Sequence, residues 1–231
     1  MNRPGVVTGL AFEAKVIEKA YARAKRPAPL LVCSGPGGAR ARAAAEKLLT
    51  QGATGLISFG ICAGLDPGLR PGTLLLADRV IAETGNYEPD PAWRTRFAGA
   101  LTEMHLPWAE GAVAGRDELV AKAEEKSALF RDTAARAVDM ESHGVGQAAE
   151  AAGVPFLVLR ALADPAERSL PRAALKATGP DGRLRLLSTI MTMYLTPWDG
   201  PKLVRLAFDT RLALDSLEKV ADPERGLLGG D

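Results

Sequence analysis

This chain of 231 residues is poor in the side chains from which cross-links and metal centres are built. It has two cysteines, Cys33 and Cys62, both inside apolar segments, and two histidines, His105 and His143. Two isolated cysteines in such surroundings read as reduced core residues rather than as a bridge. Neither histidine has metal-ligand spacing with a cysteine or an acid, so no metal is expected. An excess of either charge is also lacking: 29 Lys and Arg stand against 28 Asp and Glu, a net +1. That balance argues against a nucleic-acid-binding surface and against a charged tail. There is no membrane-length apolar run. The longest late stretch, 184–195, is too short to span a bilayer and carries Arg185. Arg3, Pro4 and Glu13 interrupt what a signal peptide would need. The expectation is a cytoplasmic protein without a transmembrane segment.

What is present is ordinary globular composition, 47% hydrophobic and 25% charged. The length suits one large α/β domain, and no repeat or linker divides it, so 1–231 is read as a single domain. Short apolar runs at 5–10, 30–34, 56–60, 73–81 and 111–115 predict strands. Between them, 13–25, 39–51, 93–104 and 118–132 carry helical periodicity. Residues 60–64 read as a glycine-rich turn and 83–92 as a surface loop. Strands alternating with helices predict a three-layer α/β/α arrangement around an at least partly parallel sheet. Beyond Asp164 the pattern changes. Residues 170–183 look loop-like, two apolar-striped helices at about 184–195 and 202–220 form a helical C-terminal extension, and 226–231 read as frayed.

Two acidic residues stand out by position. Glu141 and Asp164 each follow an apolar strand-like run, and one helix-sized insert separates them. Both carboxylates are therefore expected at the same edge of one sheet. Each has a plain structural alternative: Glu141 as a first-turn charge on the helix that follows, Asp164 as the cap of a helix opening at Pro165.

Four motifs in order resemble those of the purine nucleoside phosphorylase and nucleosidase superfamily. Val138-Asp139-Met140-Glu141 is similar to its V-x-M-E signature, and Arg160-Ala161-Leu162-Ala163-Asp164 to its R-A-x-x-D element. Ser34-Gly35-Pro36-Gly37 resembles the S-G-x-G turn, and Gly60 to Leu65 the G-S-A-G-G-L turn. Within the superfamily, three stretches resemble the hopanoid-associated phosphorylases: Thr8 to Lys15, Asp139 to His143, and Leu170 to Leu175 with 179–182. The resemblance implies a phosphorylase/hydrolase-like fold with a central mixed sheet. It also implies a homo-oligomeric enzyme that cleaves the N-glycosidic bond of a 5′-substituted adenosine, with adenosylhopane as the substrate. A methylthioadenosine/S-adenosylhomocysteine nucleosidase and a non-catalytic nucleoside-binding protein remain alternatives.

The same resemblance assigns roles. Glu141 and Met140 are ribose-binding, since two carboxylate oxygens suit paired 2′ and 3′ hydroxyls. Asp164 faces the base and protonates or hydrogen-bonds the leaving purine, which requires a raised pKa. Glu13 is the candidate base that activates water, with a solvated helix start as the alternative. Ser34, Gly35, Gly37, Arg40, Gly60 and Ile61 form the candidate cradle for phosphate or another nucleophile. Ile61, Ala63 and Ala163 depart from the family's serine, glycine and serine, which leaves phosphate and water both open as acceptor. Leu119 and Val120 are candidate base-binding residues, with ordinary helix core as the alternative. Arg160 and Arg116 are reserve cations, or surface ion-pair members. No cofactor is implied beyond phosphate as co-substrate. An apolar set in the C-terminal region, Met191, Met193, Tyr194, Leu195, Trp198 and Phe208, would suit a lipid-linked substrate and peripheral membrane contact, or core, or a dimer contact.

Overall fold

The computed structural model describes residues 3–171 and 200–229. Eight strands are present among them: β1 (Pro4–Thr8), β2 (Leu30–Cys33), β3 (Gly55–Gly64), β4 (Leu74–Ala82), β5 (Gly85–Tyr87), β6 (Trp108–Gly115), β7 (Ala137–Asp139) and β8 (Phe156–Asp164). The helices are α1 (Ala11–Arg23), α2 (Gly38–Thr50), α3 (Pro91–Glu103), α4 (Ala123–Thr133), α5 (Ser142–Ala152) and α6 (Gly200–Val220).

The sheet is mixed. β2, β1, β3 and β8 run parallel, β8 pairs antiparallel with β4, and β4, β6 and β7 continue in parallel. β7 then returns to the end of β3 antiparallel, so β3, β8, β4, β6 and β7 close a ring. β8 lies between β3 and β4 and is buried along its whole length, which is why its sequence is apolar on both faces. Its alternate residues serve two layers. Leu157, Leu159 and Ala161 pack with Ile17 of α1, Phe97 of α3 and Leu217 of α6. Phe156, Val158 and Leu162 pack with Leu48 of α2 and Val145 of α5. Helices α1, α3 and α6 thus cover one face and α2 and α5 the other.

Several boundaries differ from expectation. Residues 60–64 continue β3 instead of turning, with a register shift between Cys62 and Ala63 that pairs Ala63 with Asp164. A bulge bends the strand there without ending it. The 83–92 loop contains β5, which pairs with β4 as a hairpin. Helix α4 begins at Ala123, so Leu119 and Val120 precede it. Near the C-terminus, Leu227 and Leu228 are buried against the α1–α3–α6 face, not frayed, and Arg96 Nη2 donates to the Gly226 carbonyl at 2.7 Å. The helix expected at 184–195 lies outside the described residues, whereas that at 202–220 is α6. Among the described residues, no helix is long and apolar enough to cross a membrane. Both cysteines are free.

Candidate active site

Glu13 sits in the first turn of α1 and folds back over the β1–α1 turn. Its Oε2 accepts the N–H groups of Gly9 at 3.0 Å and Leu10 at 2.8 Å. This is the reach-back of a capping glutamate, which satisfies donors that a helix start leaves open. Oε1 accepts a third N–H, from Ile61 in β3, at 2.8 Å. The residue is 1% exposed, which removes the reading of a solvated helix start. Burial raises its pKa, against the opposing Arg160 charge and the three N–H donors.

Arg160, on β8, is fully buried and organises the rest of this corner. Its Nε lies 2.6 Å from Asp139 Oδ2 and its Nη1 3.4 Å from Glu141 Oε2. Nη2 donates to Ser58 Oγ at 2.7 Å. The expectation of a surface ion-pair member is therefore corrected for Arg160; the face of β8 that it occupies packs onto the start of α5. There Asp139 accepts the Ser142 N–H at 3.1 Å, and the side chain of Glu141, the N-cap residue, makes no capping hydrogen bond. Burial pushes Glu141 up to about 8; Arg160 opposes this, while Asp139 and Glu13 add to it. One cation among three carboxylates cannot neutralise them all, so proton uptake is favoured.

Two glycines make room for these acids. A Cβ on Gly9 would stand 2.6 Å from the Glu141 carboxyl carbon, and one on Gly60 2.5 Å from Glu13 Oε1 and 2.8 Å from Arg160 Nη1.

Asp164 closes β8. Residues 165–171 form turn and coil, so there is no helix there for it to cap. Its partner is Lys126 of α4, a residue that is 0% exposed. Lys126 Nζ lies 2.5 Å from Asp164 Oδ2 and donates to the carbonyls of Pro165 at 3.0 Å and Arg168 at 2.9 Å. Burial raises the Asp164 pKa, with the lysine opposing, and lowers that of Lys126, with the aspartate opposing. Nothing in the sequence singled out Lys126, because a lysine following Glu124 and Glu125 looks like any solvated helix residue.

Glu13, Glu141 and Asp164 line one cleft of about 790 Å³. Met140 and Asp139 join them, and Ile61, Cys62 and Ala63 come from β3. Leu119 and Val120 contribute from the segment before α4. The wall supplied by α6 is largely apolar, with Leu203, Leu206, Ala207 and Leu214.

Other candidate residues do not line the cleft, although Gly60 adjoins Glu13 and Arg160 and the Gly37 N–H bonds to Glu141. Ser34, Gly35, Gly37, Arg40 and Gly60 are not among the lining residues, although Pro36 is. Arg40 Nη1 donates to the Pro36 carbonyl at 2.8 Å on the exposed side, and the Ser34 hydroxyl is within reach of the Thr8 and Gly35 carbonyls. At the start of α2 the Gly38 N–H already has a carboxylate, Asp117 Oδ1, at 2.8 Å. Arg116 Nη1 donates to the carbonyls of Gly115 and Ile81. His143 is buried against Gly38 and Gly115, outside the cleft. Met191, Met193, Tyr194, Leu195 and Trp198 lie outside the described residues, and Phe208 is exposed on α6.

Against known proteins, the family model described as the phosphorylase superfamily matches residues 15–190. A curated relative, the aminodeoxyfutalosine nucleosidase of Helicobacter pylori, is 26% identical over 137 residues. That alignment covers 52% of this chain and 60% of the relative, so the chain spans about three-fifths of its length. Among solved structures, a 5′-methylthioadenosine/S-adenosylhomocysteine nucleosidase from Neisseria meningitidis, in complex with methylthio-immucillin-A, gives a TM-score of 0.73 at 15% identity. It covers 98% of this chain and 100% of the other. The nucleosidase of the same description from Helicobacter pylori, with butyl-thio-DADMe-Immucillin-A, gives 0.68 at 16% identity, covering 96% and 99%. At these identities the structural likeness establishes the fold.

Proposed function

The chain belongs to the phosphorylase superfamily, and from that premise we propose that it hydrolyses the N-glycosidic bond of an adenosine bearing a large apolar 5′ substituent, releasing adenine. Adenosylhopane is the substrate in the finer form of this reading. The observation that carries it is the convergence of Glu13, Glu141 and Asp164 on one cleft with an apolar α6 wall.

In this reading Glu141 grips the ribose hydroxyls with its two oxygens, Met140 packs beside the sugar, and Asp164 faces the base. Cleavage proceeds through an oxocarbenium-like sugar: the C1′–N9 bond breaks, its electron pair stays on the purine, and a ring nitrogen of the base takes a proton. Glu13 serves as the base. A carboxylate has about four acceptor sites, and backbone donors occupy three of those on Glu13. One is left for the water that attacks C1′. The Nη1 of Arg160, buried and without a hydrogen bond, lies on the same side of Gly60 and is a second point of attachment for that water.

Water is favoured over phosphate on electrostatic grounds. A phosphate dianion placed beside Ile61 would meet Glu13 and Glu141, with Asp139 behind them and Arg160 already paired with these acids. The N–H groups suited to an anion, those of Gly9, Leu10, Ile61 and Gly38, already bind protein carboxylates. The α6 wall, with four apolar residues beside Thr210 and Arg211, suits a substituent that is mainly greasy and large.

The test is a series of 5′-alkylthioadenosines of rising chain length, with adenosylhopane, in oxygen-labelled water with and without phosphate. Adenine release with the labelled 5-substituted ribose, no acceleration by phosphate, and kcat/KM rising with chain length are expected. The 1-phosphate of that sugar as product shifts the reading to phosphorolysis. A maximum at the methylthio compound supports the methylthioadenosine/S-adenosylhomocysteine nucleosidase alternative. No adenine from any compound, with binding retained, leaves a nucleoside-binding protein.

A further inference from the structure

We infer that Lys126 supplies, through Asp164, the proton taken up by the departing purine, so that the acid on the leaving-group side is the lysine–aspartate pair and not a lone carboxyl. The inference rests on the reading of Asp164 given above and adds a residue to it.

The geometry makes the division of labour. Asp164 lines the cleft and Lys126 does not. The three N–H bonds of an ammonium are matched here by three acceptors: Asp164 Oδ2, the Pro165 carbonyl and the Arg168 carbonyl. None is left to reach a ligand, so Lys126 acts only through Asp164. A fully buried lysine is costly to desolvate, and a carboxylate at 2.5 Å compensates that cost. The arrangement also creates a difficulty for a lone carboxyl acid: beside an ammonium, Asp164 rests ionised and has no proton of its own to give.

The pair resolves this. As the C1′–N9 bond breaks and its electrons stay on the purine, a Lys126 proton moves to Asp164 and the carboxyl so formed delivers it to the ring nitrogen facing it. The carboxylate is regenerated and the lysine is left as a neutral amine. Solvent reprotonates it when the base departs. Burial moves the two groups toward each other, the carboxyl upward and the ammonium downward, which lowers the cost of shifting a proton between them. The other charges facing the pair are Glu167 and Arg168 in the turn after β8 and Asp209 on α6. Arg168 and Asp209 are ion-paired with each other, and Glu167 is exposed.

The experiment compares two leaving groups on the same sugar: the most rapidly cleaved 5′-alkylthioadenosine, and the matching 4-nitrophenyl riboside, whose nitrophenolate departs without a proton. Lys126→Arg keeps the positive charge but holds its proton at neutral pH. It is expected to lower kcat on the adenosine about 100-fold, and to lower it at least about tenfold less on the nitrophenyl riboside. Lys126→Met removes charge and proton together. Asp164 must then carry its own proton, so activity on the adenosine recovers as pH falls. Wild-type kcat for Lys126→Arg on the adenosine, or equal losses on both leaving groups, overturns the proposal. Asp164→Asn separates the two readings. If it cleaves the adenosine at the wild-type rate, the base-facing role of Asp164 itself fails. If it is inactive while Lys126→Arg is fully active, only the lysine's part fails.

Discussion

The backbone N–H of Ile61 donates to Glu13 Oε1 at 2.8 Å, across 48 residues of sequence. A side chain from the first turn of α1 thereby closes over the middle of β3, and the same carboxylate holds the β1–α1 turn through Gly9 and Leu10. In the proposed mechanism, catalytic group and structural clamp are one residue. Glu13→Gln puts an amide NH₂ where one of two accepting oxygens stood, leaving at least one buried N–H without a partner. A loss of about 1–3 kcal/mol in stability is expected, with kcat lowered about 100-fold or more and KM little changed. Chemical denaturation and steady-state adenine release measure the two effects separately; a variant as active as wild type removes Glu13 from the mechanism.

Gly60→Ala places a methyl within 2.8 Å of both Glu13 Oε1 and Arg160 Nη1, so these groups must shift from the positions they hold in the site. A fall in kcat of about tenfold or more is expected with the fold intact, equivalent to at least about 1.4 kcal/mol of transition-state stabilisation. Gly99→Ala is the control. Nothing lies within 4 Å of its added Cβ, and alanine in the interior of α3 gains up to about 1 kcal/mol of helix preference. Equal activity of the two variants would count against the packing argument.

Glu141 links activity to the pH dependence of stability. Burial raises its carboxyl from an ordinary 4.5 to about 8. The folded chain thus binds the proton more tightly than the unfolded one. The associated stability is present in full below about pH 4.5 and is lost as pH rises through about 8. Glu141→Gln mimics the protonated acid at every pH. The melting temperature of the variant minus that of wild type should therefore grow by about 4 °C or more between pH 5 and pH 9. A constant difference would mean that Glu141 is ionised throughout.

The proposed grip on the ribose predicts discrimination at the 2′ position. Removing one hydroxyl leaves a buried carboxylate oxygen unpaired, so the 2′-deoxy substrate should lose kcat/KM by about 100-fold or more. Glu141→Gln should narrow that ratio, since a neutral amide holds a hydroxyl less strongly than a carboxylate does. Parallel kcat/KM measurements on both nucleosides decide it.

The α6 wall predicts a length dependence. Ala207 lines the cleft between Leu203 and Leu214, and Ala207→Trp fills part of the space assigned to the 5′ substituent. It should lower kcat/KM for long-chain alkylthioadenosines by about tenfold, a 1.4 kcal/mol effect, and lower it less for the methylthio compound. Uniform losses along the series would place the substituent elsewhere.

The alternation of elements was readable because it is local: β1 and β2 announce themselves as short apolar runs, α1 by a period of 3.6 residues and α2 by helix propensity. Glu141 and Asp164 were readable as partners because each ends an apolar run, and both do line the cleft. The extent of β3 was not, since glycines at 60 and 64 signal a turn in any single-chain reading, and it is pairing with β8 and β7 that keeps them in a strand. The same holds for Leu227 and Leu228, apolar residues in a glycine-rich tail that tertiary contacts bury.

Sequence alone therefore determined the order of strands and helices, the family motifs and which acids stand at strand ends, because these depend on neighbours along the chain. Tertiary structure decided what those acids face. Lys126 meets Asp164 across 38 residues, and Arg160 meets Asp139 beneath the site. The state of a buried charge is set by desolvation and by the opposite charge that packing brings to it, and neither is a property of local sequence.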